Sequence, residues 1–190
     1  MKITALIFSL LFFALPSYAQ EEEHSTKKVH GREEAHGKLK HHRIALIWAH
    51  GYVPKAIDNK DQTVIIPVIG LDYEYWFSHK FAVGISNDIE LTNYVIENHD
   101  GEELEREYSY VGAVMGIFEV APLWVVAVGP GVEIEKNQNF FVAKLNIERE
   151  FPIAGVGWDV TPMFSYELKT SSGHGIYDAF NLGIGIGKRF

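Results

Sequence analysis

The chain has 190 residues, 47% of them hydrophobic, a net charge of −8, 17 glycines and no cysteine. That length accommodates one domain with a sizeable enclosed face. The acidic balance without a long basic run excludes a nucleic-acid partner, and the lack of cysteine excludes disulfides, thiolate chemistry and a lipidated cysteine.

The N-terminus reads as a secretory signal peptide, residues 1–19. Lys2 supplies the positive charge, residues 6–15 form an apolar run, and Ser17-Tyr18-Ala19 fits a small-x-small cleavage site before Gln20. The run is too short for a spanning anchor, and no later stretch approaches the roughly 18 apolar residues of a membrane helix. Residues 20–42, QEEEHSTKKVHGREEAHGKLKHH, are too polar to bury a core and are read as a periplasmic linker.

From residue 43 onward the texture changes to period-two alternation interrupted by turn residues. Strands are expected near 44–53, 64–77, 81–94, 107–118, 123–135, 140–150, 156–169 and 177–190. The first, third, fifth and seventh connections are polar and mostly longer, and the others are short. This asymmetry belongs to outer-membrane barrels, and an even strand count returns both termini to the periplasmic side.

The last strand sets Phe180, Leu182, Ile184, Ile186 and Phe190 against Asn181, Gly183, Gly185, Gly187 and Arg189. Residues 124–135 set Trp124, Val126, Val128, Val132 and Ile134 against Ala127, Gly129, Gly131, Glu133 and Glu135. Parity does not say which face points outward, because a soluble lipocalin-like carrier alternates in the same way. Glycines on the polar face, strands of ten residues or so, and aromatics near strand ends favour the membrane barrel. One rim would carry Phe77, Phe81, Phe118, Trp124, Phe151 and Trp158, and the other Tyr52, Tyr94, Tyr108 and Tyr177. Residues 108–115 fit poorly, being apolar on both faces.

The ending Leu182-Gly183-Ile184-Gly185-Ile186-Gly187-Lys188-Arg189-Phe190 resembles the final strand of outer-membrane β-barrel proteins. The resemblance covers about residues 43–190 and implies a small barrel of the OmpA/OmpX type. It also implies that Phe190 serves as the signal read by the barrel assembly machinery. The expected fold is all-β, a single antiparallel up-and-down transmembrane β-barrel of about eight strands, with outer-membrane lipid as its surroundings.

Three groups of residues could carry chemistry. His24, His30, His36, His41 and His42 lie in the linker, and imidazoles suit copper or zinc, although their spacing matches no closed zinc site. The lumen face is acidic, with Asp72, Glu74, Asp88, Glu90, Glu133, Glu135, Glu148, Glu150, Asp159 and Glu167 against mainly Lys144, Lys169 and Arg189. It reads as a rigidifying polar network, or alternatively as a place for cations. Ser171, Ser172, His174 and Asp178 form the one local cluster suited to a lipid A-modifying enzyme, but small polar residues are also ordinary hairpin material. The His-x-Ser-Asn element of lipid A deacylases is missing. An eight-stranded lumen is filled by side chains, which argues against a diffusion pore. The reading is therefore a non-enzymatic outer-membrane barrel with no catalytic residues, structural or ligand-binding through its outside loops or histidine tract.

Overall fold

The computed structural model describes residues 39–56, 62–97, 103–136, 138–153, 156–171 and 176–190. It is all β: β1 (His42–Ala56), β2 (Gln62–Trp76), β3 (Phe81–Glu90), β4 (Asn93–Glu97), β5 (Glu103–Glu107), β6 (Tyr110–Ala121), β7 (Trp124–Ile134), β8 (Phe140–Arg149), β9 (Phe151–Ile153), β10 (Trp158–Thr170) and β11 (Ile176–Arg189). Every pairing is antiparallel. β8 and β9 both pair with β10, and β3–β4 and β5–β6 are each one stave with a break, so the eleven segments make eight staves. The sheet closes where β1 pairs with β11, from Arg43↔Arg189 to Tyr52↔Phe180. Closure leaves no unpaired edge in the wall itself, which is what a strand-built protein needs in hydrocarbon, while β5, beyond the wall, pairs only with β4. No described helix is long and apolar enough to cross a membrane.

The alternation has a single sense all round the wall. In β3, β10 and β11 the buried positions carry mostly small, polar or charged residues, with Met163 and Tyr177 among them, and the outward positions carry mostly Val, Ile, Leu, Phe and Trp. This disposes of the lipocalin-like alternative, whose apolar face must point inward. Short turns join strands at the end where β1 begins and β11 finishes: Ser78–His79–Lys80 between β2 and β3, and Pro122–Leu123 between β6 and β7. Ser78 Oγ accepts the backbone N–H groups of Lys80 and Phe81 at 3.2 and 3.0 Å, which sets the first of these turns. Leu123 takes a φ of 68° after Pro122, as the third position of a turn with proline second often requires.

Two departures from the sequence reading concern the third and fourth staves. The strand expected near 81–94 breaks after Glu90, and the following segment pairs as a hairpin, β4–β5, from Asn93↔Glu107 to Glu97↔Glu103. The fourth stave breaks at Tyr108, where φ is 45°, and the inward parity shifts from Arg106 to Ser109 and Val111. Residues 108–115 look apolar on both faces because the inward side of this stave is itself apolar. Val111, Ala113, Met115 and Ile117 point into the barrel, where Ala113, Met115 and Ile117 meet Trp76, Ala82, Val125 and Ala127.

Staves approach closely where glycine lines the lumen. A Cβ at Gly129 would stand 1.8 Å from the Val114 carbonyl oxygen. Backbone cannot yield as a side chain does, so Gly129→Ala is expected to cost about 1–3 kcal/mol or more through β6–β7 separation. Urea unfolding in detergent micelles, followed by the gel shift between folded and boiled protein, measures it. Gly185→Ala, whose nearest neighbour would be 3.6 Å away, should be close to neutral by the same assay.

Candidate functional site

The lumen is filled in layers. At the end where β1 begins, Arg43 faces β2 and β10. Its guanidinium holds Asp159 with two bonds, Nη2 to Oδ1 at 2.7 Å and Nε to Oδ2 at 3.1 Å, and Nη2 also donates to Thr161 Oγ1 at 3.0 Å. Nη1 donates to Glu74 Oε1, whose other oxygen accepts the Trp76 indole N–H at 2.6 Å. Gly187 makes room for this group, since a Cβ there would meet Asp159 Oδ1 at 2.4 Å and Arg43 Nη2 at 2.7 Å. Arg189 donates to Glu150 at 2.6 Å with its guanidinium over the Trp76 ring.

Two lysines occupy the middle. Lys144 Nζ donates to Asp88 Oδ2 and to Ser86 Oγ at 3.1 Å, and lies 3.3 Å from Glu167. Lys169 Nζ lies among three carboxylates, Glu90 at 2.9 Å, Glu133 at 3.2 Å and Glu167 at 3.3 Å. Tyrosine hydroxyls finish the shell: Tyr177 donates to Glu133 at 2.6 Å and Tyr94 to Glu90 at 2.7 Å. Hydrogen-bonding and charge-pairing every partner is the condition under which buried ions are tolerated.

The far mouth is covered from above by the β4–β5 hairpin. Tyr94 and Ile96 turn inward onto an apolar cluster with Ile47, Val53, Ile66, Phe140 and Tyr177. Arg106, on the returning strand, donates from Nε and Nη2 to Glu133 Oε1 and from Nη1 to the Gln138 carbonyl at 3.2 Å, and its guanidinium lies over the Phe140 ring. Arg106→Gln should therefore release the hairpin while leaving the wall intact, because Glu133 keeps Lys169 and Tyr177. Hydrogen bonds to charged groups are worth about 1.5–3 kcal/mol, so amides of residues 93–97 and 103–107 should exchange with deuterium roughly 10- to 100-fold faster. β10 and β11 amides should keep their protection.

All ten acids expected in the lumen are buried there, as are Lys144 and Lys169, with Arg189 half-buried. Sequence reasoning missed the two strongest cations, Arg43 and Arg106, at a domain boundary and a loop edge. The odd-numbered parity of Ala45, Ile47 and Ala49 extends back to Arg43 and was the available signal. Tyr94 and Tyr177, expected in a rim girdle, instead point inward because their hydroxyls complete the charged layer. Tyr52 remains outside, stacked on Phe180 at 5.2 Å, and Tyr108 is exposed.

Of the proposed metal ligands, His24, His30 and His36 lie outside the described residues. His41 Nδ1 donates to the Trp76 carbonyl at 2.7 Å, and His42 Nδ1 contacts the Tyr73 hydroxyl at 2.7 Å while its ring stacks on Phe190. Among the described residues no group of three His, Cys, Asp or Glu side chains is arranged to hold a metal. Ser172 and His174 of the possible catalytic cluster also lie outside the described residues. Ser171 accepts from Gln138 at 2.9 Å, and Asp178 accepts from the Tyr166 hydroxyl at 3.4 Å, on the outer wall. Phe190 ends the barrel seam, its N–H donating to the His42 carbonyl at 3.0 Å and its ring exposed.

No protein-family model matches the sequence, and a comparison with curated proteins finds no match. Solved structures do match in fold. Neisserial surface protein A (NspA) is 8% identical with a TM-score of 0.53, over 78% of this chain and 97% of that one. Ail, the attachment invasion locus protein of Yersinia pestis, in complex with the heparin analogue sucrose octasulfate, is 13% identical with a TM-score of 0.53, over 80% and 100%. The fold is that of the small outer-membrane β-barrels, eight antiparallel staves closed on themselves.

Proposed function

We propose that this chain is a non-enzymatic integral protein of the outer membrane, with both termini on the periplasmic side and no open pore. The observation that carries this reading is the inversion of ordinary burial. Leu46, Trp48, Ile65, Val114, Val128, Ile184 and Ile186 stand outside, each at 47–62% exposure, while the charges are within. Water would penalise such a continuous apolar shell, whereas hydrocarbon matches it. Trp124, Phe151 and Trp158 flank it, with Arg149 and Lys188 over their rings, as expected at a headgroup boundary. The short turns at the end where β1 begins and β11 finishes support the periplasmic orientation, and the exposed Phe190 ring suits capture by the assembly machinery. The filled lumen supports a role through surfaces, not permeation. Copper or zinc capture by His24, His30, His36, His41 and His42 is a separable part of the proposal.

Single cysteines test the membrane reading, since the chain has none of its own. Cysteine at 128 or 184 should react with a membrane-embedded thiol probe and resist an aqueous one, and cysteine at 105 on the hairpin should do the reverse. Free aqueous labelling at 128 and 184 would refute it. Val128→Arg or Ile184→Arg should in turn lower stability in lipid vesicles by about 2–4 kcal/mol, the cost of a mid-membrane arginine.

A further inference from the structure

Among the described residues, the ion-pair network leaves a small cavity in the half of the lumen nearer the start of β1 and the end of β11. Met115 and Ile117 line it together with Asp72, Ser86, Asn146 and Glu148. Asp72 accepts the Asn87 backbone N–H at 3.3 Å, yet among the described residues neither Asp72 nor Glu148 has a cation at ion-pair distance. Glu74 also borders the space but is committed to Arg43 and Trp76. Asn146 is only 2% exposed, and its Oδ1 is buried with no hydrogen-bond partner. Two buried carboxyl side chains with no cation at ion-pair distance, and a residue whose amide oxygen has no partner, therefore border one space. A water molecule would satisfy the amide and leave the charge, and a proton on a carboxyl would remove a charge and leave the space empty; a cation satisfies amide, charge and space together.

The geometry points to a binding site for one hard divalent cation of the calcium class, held by the carboxylates of Asp72 and Glu148 and the amide oxygen of Asn146. Two negative charges balance a divalent ion, and an all-oxygen set selects a hard one. The space has room for about one water-sized occupant, which disfavours magnesium because that ion keeps several waters. The inference is independent of the histidine tract, whose nitrogens suit softer ions. It needs only the closed barrel, so detergent-folded protein tests it whether or not the membrane reading stands.

The full chain, folded in detergent micelles and stripped with a chelator, is dialysed to equilibrium against calcium chloride. One calcium per chain is expected, with a higher temperature for the folded-to-unfolded gel shift. Asp72→Asn combined with Glu148→Gln preserves shape, removes both uncompensated charges and should abolish the binding. Glu105→Gln, on the exposed hairpin, should leave it unchanged. Asn146→Asp adds a charged ligand and should tighten it by at least about tenfold, since calcium affinity is tuned by the charge count of the ligands. The proposal is overturned if the wild type takes up no saturable calcium at millimolar concentration. It is equally overturned if the Asp72→Asn/Glu148→Gln protein, folded by gel shift, binds as before, or, should that variant not fold, if Asn146→Asp leaves affinity unchanged.

Discussion

Lys169→Met is expected to lower the unfolding free energy by about 3–5 kcal/mol, the range for removing one member of a buried ionic group. Lys169 is fully buried and is shared by Glu90, Glu133 and Glu167, which come from three different strands. Methionine fills much of the same volume, so the loss would come from stranded carboxylates and not from a void. Glu133 would keep Arg106 and Tyr177, and Glu167 would keep Lys144. Glu90 would keep only the Tyr94 hydroxyl among the described hydrogen bonds. Adding Glu90→Gln to Lys169→Met should therefore recover stability, whereas Glu90→Gln alone should destabilise. Urea titrations of the four proteins complete that double-mutant cycle. A loss in Lys169→Met that the second change does not relieve would mean that packing, not charge, dominates the layer.

Arg43→Leu should cost a similar amount, about 3–5 kcal/mol, for a different geometric reason. The arginine meets Asp159 with two parallel bonds and adds Thr161 and Glu74 from the remaining nitrogens. A single ammonium cannot reproduce that fork, so Arg43→Lys should recover at most part of the loss. Arg43 also lies on β1, which pairs with β11 to close the barrel, so the variant should unfold first at that seam. Faster deuterium exchange of residues 43–49 and 183–189, measured against β6 and β7, would register it. Uniform acceleration across all eight staves would instead indicate that Arg43 stabilises the barrel globally and not the seam.

Much of the wall was legible from residue order alone. Alternation in residues 180–190 and 124–135 reports a sheet with two unlike faces, because side chains on an extended strand point alternately to either side. Glycine on the polar face correctly indicated a crowded interior, as the close approach of Gly129 to Val114 bears out. The stave boundaries at Glu90 and Tyr108 were not legible. They depend on a backbone break and a positive φ at a tyrosine, which no periodicity forecasts. The inward turn of Tyr94 and Tyr177 was missed for a related reason: an amphipathic ring suits a membrane interface and a charged lumen equally well.

The sequence by itself determined the all-β class, the eight-stave count and the ten acids that share one face, since these follow from the two-residue period of a strand. Only the tertiary structure decided which charges neutralise one another. Lys169 and Glu90 lie 79 residues apart, and Arg43 and Asp159 lie 116 apart. Their meeting depends on the stagger with which the staves close, a property of the whole sheet and not of any one segment. The same closure decided that Arg43 and Arg106 belong inside, that a hairpin caps one mouth, and that Asp72, Asn146 and Glu148 share a space that no buried base enters.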